Sequence, residues 1–285
     1  MSILDAVILG ALQGLTEFLP ISSSGHLVLA EKLMNLPAEN LKSFDIAVHF
    51  GTLLAIFVYF WKDIVSLWKA FLVFVFKMFK IGAHGGAAET NHQIVASQKL
   101  LSYLIIGSIP AIFVAIFFDE WIDVHFRNPY SIAILMIVVG ILFFVAEFIY
   151  SKVQKKEITM PEGTLMGVAQ ALALIPGVSR SGITISAGIT QGIKREEAAR
   201  FSFLLGAIAI VGATVFAIVG VLKGKYVMPS TDILIVGIAS SFVFGLAAVA
   251  FLMRFLKKHT LHIFGVYRVI LGFVLLYLLQ FSNLF

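Results

Sequence analysis

The chain has 285 residues, of which 60% are hydrophobic and only 13% charged, where soluble domains carry about 25% charged residues; this excludes a soluble globular enzyme and makes the long apolar runs membrane spans. It has no cysteine, which removes disulfides, thiolate metal sites and a cysteine nucleophile. Its net charge of +5 does not point to nucleic acid, because the basic residues gather in the loops between spans, the topogenic pattern of membrane proteins.

The apolar runs are long and lack alternation of period two, so they are read as α-helices and not as barrel strands. No separate signal peptide is expected, because residues 1–12 flow directly into a polar stretch without a charged leader or cleavage site. That stretch, residues 13–26 (QGLTEFLPISSSGH), places Glu17, His26, three serines, Pro20 and Gly25 within one span's length. A helix broken at membrane depth is tolerated only where protein buries it or it lines a cavity, so residues 3–35 are predicted to form a re-entrant helical hairpin. Residues 44–61 form a span containing Asp45 and His49. Residues 62–80 intersperse four lysines among Phe and Val, which suits an amphipathic helix lying in the interface. Residues 81–96 read as a polar loop, 98–118 and 130–150 as spans, and 151–162 as a charged linker. A second broken segment follows at 163–191, with QALALIPGVSRSG at 170–182. Residues 200–222, 232–253 and 262–281 are three more spans.

Each half therefore reads as a hairpin plus three spans, residues 1–150 and 163–285 of a single membrane domain. Gly10, Gln13, Ser22, Ser24 and Gly25 match Gly167, Gln170, Ser179, Ser181 and Gly182 at a constant offset of 157. A hairpin returns to its own side and three spans cross to the other, so the second half starts on the opposite face. The fold class expected is an all-α polytopic membrane protein built as an inverted-topology repeat. With this topology, fourteen of the 21 Lys and Arg residues fall on one side and five on the other, Arg180 and Arg268 lying within the membrane. The basic side is cytoplasmic by the positive-inside rule, so the first hairpin opens to the extracytoplasmic side. The orientation depends on residues 62–80 not spanning.

Ionisable groups at membrane depth are costly and point to function. Those here are Glu17, His26, Asp45, His49, Arg180 and Arg268. One reading makes Glu17 and Arg180 a structural ion pair that holds the hairpins together. The other is a phosphate site: free backbone N–H groups at helix starts favour an anion, and Arg180 is a bidentate cationic donor. Ser22, Ser23, Ser24, Ser179, Ser181 and Thr184 are hydroxyl donors that also suit helix N-caps, and Gln13 stands one turn before Glu17. Glu17 and His26 flank the Pro20 break, so a turn can bring a carboxylate beside an imidazole for acid–base work. Alternatively Glu17 ligates a divalent cation. The attacking group is Ser23, His26 or a water. Asp45 and His49 lie one turn apart and either support the site or form a pair near the interface. Arg268, beside Tyr267, is read as snorkelling or pairing locally. His84, His92, His125, His259 and His262 read as solvated, without metal-ligand spacing.

The pattern Gln13-x-x-x-Glu17 followed by FLPISSSGH, together with PGVSRSGIT at 176–184, resembles the undecaprenyl-diphosphate phosphatase family, also called the bacitracin-resistance family. The family pattern allows Glu or Gln at the first position, where this chain has Gln13. The resemblance implies a bacterial plasma-membrane enzyme that removes the terminal phosphate of undecaprenyl diphosphate, regenerating the lipid carrier for cell-wall synthesis and conferring bacitracin resistance. It further implies an active site of Glu17, His26 and Arg180 with the neighbouring serines, a divalent cation (Mg²⁺ or Ca²⁺), an extracytoplasmic site and a homodimer. The alternative from the repeat architecture is a lipid-carrier flippase or transporter.

Overall fold

The computed structural model describes residues 1–36, 41–78, 92–224 and 228–281, with nothing stated of the Lys42 side chain. The sequence readings for Lys80, His84, Lys225 and residues 81–91 lie outside the described residues. Within them the chain is all helical, in the order α1 (Ile3–Phe18), α2 (Ser23–Leu33), α3 (Leu41–Tyr59), α4 (Trp61–Met78), α5 (His92–Phe126), α6 (Pro129–Tyr150), α7 (Met160–Leu172), α8 (Arg180–Thr190), α9 (Arg195–Leu222), α10 (Thr231–Phe255) and α11 (His262–Phe281).

Five helices, α5, α6, α9, α10 and α11, are long and apolar enough to cross a bilayer. The sixth expected span, α3, joins these as part of a bent pair with α4, from which it turns by 86°. The bend falls at Phe60, so the lysine-bearing segment is a separate helix turned across α3 and does not continue it. Residues 92–96, expected in a loop, instead open α5, which begins at His92 and runs 35 residues through Pro110. Its first turns are polar but propagate from a strongly helical core.

Broken helix pairs, α1–α2 and α7–α8, occupy the stretches expected to form the two hairpins. In the first, Leu19 is extended, Pro20 cannot continue the ladder, and Ser22 takes φ 77° before α2 starts. In the second, Gly177 has φ 99° and Ser179 has φ 74° before α8 starts. Ser22 accepts from the Gly25 amide and Ser179 from the Gly182 amide. Two serines in the left-handed half of backbone space, 157 positions apart, thus make the same cap.

Small residues let the helices approach where no hydrophobic driving force separates helix from lipid. α1 packs against α10, α7 against α5, and α6 against α11. A Cβ on Gly10 would stand 2.5 Å from the carbonyl oxygen of Gly237, and one on Gly14 2.5 Å from that of Ser241. At the α6–α11 crossing the relation is reciprocal: a Cβ on Gly140 would lie 3.0 Å from the Gly265 oxygen, and one on Gly265 2.9 Å from the Gly140 oxygen. The main apolar core, which includes Phe18, Phe143, Ile185, Phe203 and Leu252, surrounds the two breaks.

Candidate active site

The two breaks lie side by side. Glu17, in the last turn of α1, is 7% exposed, and its Oε1 accepts a hydrogen bond from Nη2 of Arg180, the first residue of α8, at 2.5 Å. Its other oxygen, Oε2, accepts from Ser23 Oγ at 2.7 Å and from Gln13 Nε2 at 3.0 Å. Ser181 Oγ reaches across to the Leu19 carbonyl at 3.5 Å, a second link between the hairpins. The ion pair is therefore present, and it carries the hydroxyl of α2 with it.

The imidazole facing Glu17 is His49 of α3, whose Nε2 is 3.6 Å from Oε2 while its Nδ1–H donates to the Asp45 carbonyl. His26, expected beside Glu17, hydrogen-bonds elsewhere. Its Nδ1 is 2.7 Å from the Ser22 carbonyl and its Nε2 2.8 Å from the Tyr267 hydroxyl, with the two rings stacked. A carbonyl only accepts, so Nδ1 carries the proton and the Tyr267 O–H donates to Nε2. The reason is geometric: His26 is the fourth residue of α2, on the helix face toward α11, whereas Ser23 faces α1. The Asp45 carboxylate pairs with Arg127 at 3.3 Å and does not touch Glu17.

Arg180 is held from α9. Its Nη1 donates to the Ser202 carbonyl at 3.3 Å, and a Cβ at Gly206 would overlap the guanidinium. Thr184 is fully buried, with its hydroxyl against Ser202 Oγ at 2.5 Å, and Ser179 Oγ stands 3.4 Å from Ser181 Oγ. These hydroxyls shape α8 and its start. Ser24, by contrast, lines an open cavity. Of the five N–H donors of Arg180, the bonds to Glu17 and Ser202 use two. The amides of Ser23, Ser24, Arg180 and Ser181, in the first turns of α2 and α8, have no hydrogen-bond partner among the described residues. Two helix N-termini and a guanidinium thus converge where an anion is favoured.

A cavity of ≈ 220 Å³ adjoins this centre. Ser24, Asp45, His49 and Arg127 give it a polar end, and Leu27, Val28, Ile46, Ile210 and Ala213 give it apolar walls. A charged head with an apolar stem fits such a lining.

Arg268 departs most from its sequence reading. It neither snorkels nor pairs locally; it is fully buried and donates to four backbone carbonyls. These are Gly177 (2.7 Å), Leu135 (3.3 Å), Met136 (3.3 Å) and Pro20 (3.5 Å). Snorkelling fails because α11 faces α6 and the breaks at this position, with no route to water. Ser202, Gly206 and Tyr267 were not singled out from the sequence. The four-residue spacing of Ser202 and Gly206 in an apolar run was the available signal, since it clears one helix face. His125 bonds to a carbonyl of its own helix, His259 to the Phe255 carbonyl at the end of α10, and His262 stacks on Phe144. Among the described residues no group of three His, Cys, Asp or Glu side chains is placed to hold a metal.

The fold and the site together define a polytopic helical membrane protein with a buried, charged centre at two adjoining helix breaks. Residues 6–274 match the family described as bacitracin resistance protein BacA, and the chain belongs to that family. It is 41% identical to the undecaprenyl-diphosphatase of Geotalea daltonii over 99% of this chain and 100% of that protein. It is 39% identical to the undecaprenyl-diphosphatase of Thermodesulfovibrio yellowstonii, covering 98% of each, and 36% identical to that of Methanosphaera stadtmanae, covering 96% and 97%.

Proposed function

We infer that this protein is an undecaprenyl-diphosphatase: it hydrolyses the anhydride of undecaprenyl diphosphate, releases phosphate and returns the monophosphate carrier to cell-wall synthesis, which confers bacitracin resistance. The observation that carries the chemistry is the contact of Arg180 from the second break with Glu17 from the first, beside the Ser23 hydroxyl.

In the mechanism proposed, the diphosphate enters along the cavity and its terminal phosphoryl group takes up the spare N–H donors of Arg180 and the free amides of α2 and α8. Ser23 Oγ attacks the terminal phosphorus and its proton passes to Glu17 Oε2, already its acceptor at 2.7 Å. The bond from that phosphorus to the bridging oxygen breaks, and undecaprenyl phosphate leaves with the proton that Glu17 had taken. Water then attacks the phosphoserine, Glu17 accepting its proton and returning it to Ser23 Oγ as phosphate is released. His26 is held out of the attacking role by Tyr267 and shapes the start of α2 through Ser22. Fixed donors aimed at the developing charge supply the largest share of the acceleration.

A divalent cation is proposed to accompany the substrate. Gln13 Oε1 is buried without a hydrogen-bond partner among the described residues, on the amide whose Nε2 donates to Glu17 Oε2, so one amide and one carboxylate oxygen suit a cation held mainly by phosphate oxygens. Bound there, it would neutralise phosphate charge. Loss of activity on chelation, restored by Mg²⁺ or Ca²⁺, tests this; full activity after chelation opposes it.

The site is proposed to face the extracytoplasmic side of the plasma membrane. Arg127, which lines the cavity, belongs to the sparsely basic side, and the 86° turn between α3 and α4 supports reading α4 as a helix that does not span. An inverted repeat is proposed on the paired Ser22 and Ser179 caps and on the exchanged packing of α1 with α10 and α7 with α5. Homodimerisation rests on the family resemblance; the mass of the protein in nanodiscs tests it.

The activity is tested by phosphate release from undecaprenyl diphosphate by the purified protein in detergent. Release that is lost in Glu17→Ala and Arg180→Ala variants supports the proposal. Lipid translocation in vesicles without phosphate release overturns it.

A further inference from the structure

A guanidinium with no exposed surface is costly to bury unless its donors are satisfied. Arg268 is satisfied by carbonyl oxygens and by the face of the Phe143 ring, 5.6 Å from its centroid. Those carbonyls are not distributed at random. Pro20 is the residue that breaks the first hairpin and Gly177, at φ 99°, is the residue that turns the second. Leu135 and Met136 belong to α6, the partner of α11. One side chain therefore ties both breaks to one helix pair.

Two of the carbonyls it binds are ones that no helix can use. Pro20 and Gly177 lie outside helical ladders, and their oxygens face inward, where an unpaired carbonyl is destabilising. The planar fork spans them because Nη1 and Nη2 diverge: Nη1 takes Pro20, while Nη2 takes Gly177 and Leu135. From Pro20 it is three residues to Ser23, and from Gly177 three to Arg180. A shift of either break moves the group that meets the phosphate.

We propose that Arg268 is a positioning residue for the hydrolysis: its guanidinium clasps the carbonyls of Pro20 and Gly177 and so sets the spacing between Ser23 and Glu17 on one hairpin and Arg180 on the other. It acts through the backbone of the two breaks and touches neither substrate nor Glu17. The proposal rests on the site described above.

The test uses Arg268→Lys, which keeps the buried cation but loses the fork, and Arg268→Ala assayed with and without guanidinium chloride, with Arg180→Ala alongside. A misplacement of about 1 Å costs on the order of a hundredfold in rate, so kcat of Arg268→Lys is expected to fall by about ten- to a hundredfold at a temperature where the variant stays folded. Millimolar guanidinium is expected to raise kcat of Arg268→Ala at a temperature where that variant is already folded without it. Wild-type kcat in Arg268→Lys overturns the proposal. So does loss of fold in step with loss of activity, which would make Arg268 a stabilising residue alone. If Arg180→Ala keeps full activity, the site itself is misassigned; if only Arg268→Lys does, the clasp alone fails.

Discussion

Arg180 and Glu17 lie 163 positions apart in the sequence and 2.5 Å apart in the structure. Each stands at the edge of a helix break, and each is nearly enclosed, with 14% and 7% of the side chain exposed. Their pairing is what turns two broken helices into one centre. A buried charge left without its partner costs about 3–5 kcal/mol, so the pair also contributes to holding the hairpins together before any substrate arrives.

Arg180→Lys keeps the charge but not the planar fork that serves Glu17, Ser202 and a phosphate together. Its kcat/KM for phosphate release is expected to fall on the order of a hundredfold, the scale of losing an oriented donor. Steady-state assays with the folded variant check this, and turnover near wild type opposes bidentate holding.

Gly206 leaves the volume that the Arg180 guanidinium occupies. Gly206→Ala forces that side chain away from Ser202, and overpacking of this kind costs about 1–3 kcal/mol. Activity is expected to fall further than the melting temperature suggests, because the displaced group is the one proposed to hold the phosphate. The control is Gly212→Ala in the same helix, where an added Cβ meets nothing within 4 Å and both quantities should hold.

Ser23 is expected to become phosphorylated during turnover. Rapid acid quenching and mass analysis should find the added phosphate on the peptide containing Ser23 and lose it in Ser23→Ala. Phosphate on His26, or none with intact turnover, would reassign the attacking group.

Because the chain has no cysteine, single cysteines report its orientation directly. Val124, 79% exposed near the end of α5, should react with a membrane-impermeant maleimide in intact cells when replaced by cysteine. Lys155→Cys, in the linker after α6, should react only after the cells are opened. The reverse pattern would place the cavity on the cytoplasmic side.

The broken helices were legible because their causes are local: Pro20, the serines and Gly177 stop a ladder whatever surrounds them. The spans were legible for the same reason, from runs of apolar residues. What could not be read was which face each polar group takes once its helix is packed. His26 and Ser23 are neighbours in sequence, yet α2 directs Ser23 to Glu17 and His26 to Tyr267. Arg268 looked like an interfacial charge because nothing near it in sequence offers an acceptor; its acceptors come from three distant segments. Ser202 and Gly206 are silent until Arg180 is placed against them. α3 looked like an ordinary span, and only the bend at Phe60 separates it from the helix that follows.

The measurement that bears most directly on a single site shared by two hairpins is a double-mutant cycle on phosphate release with Glu17→Gln, Arg180→Gln and the double variant. Residues that act as a unit lose function non-additively. The expected result is that the double variant is scarcely slower than the worse single one. Losses in kcat/KM that multiply would mean that Glu17 and Arg180 work independently, and would contradict a shared centre.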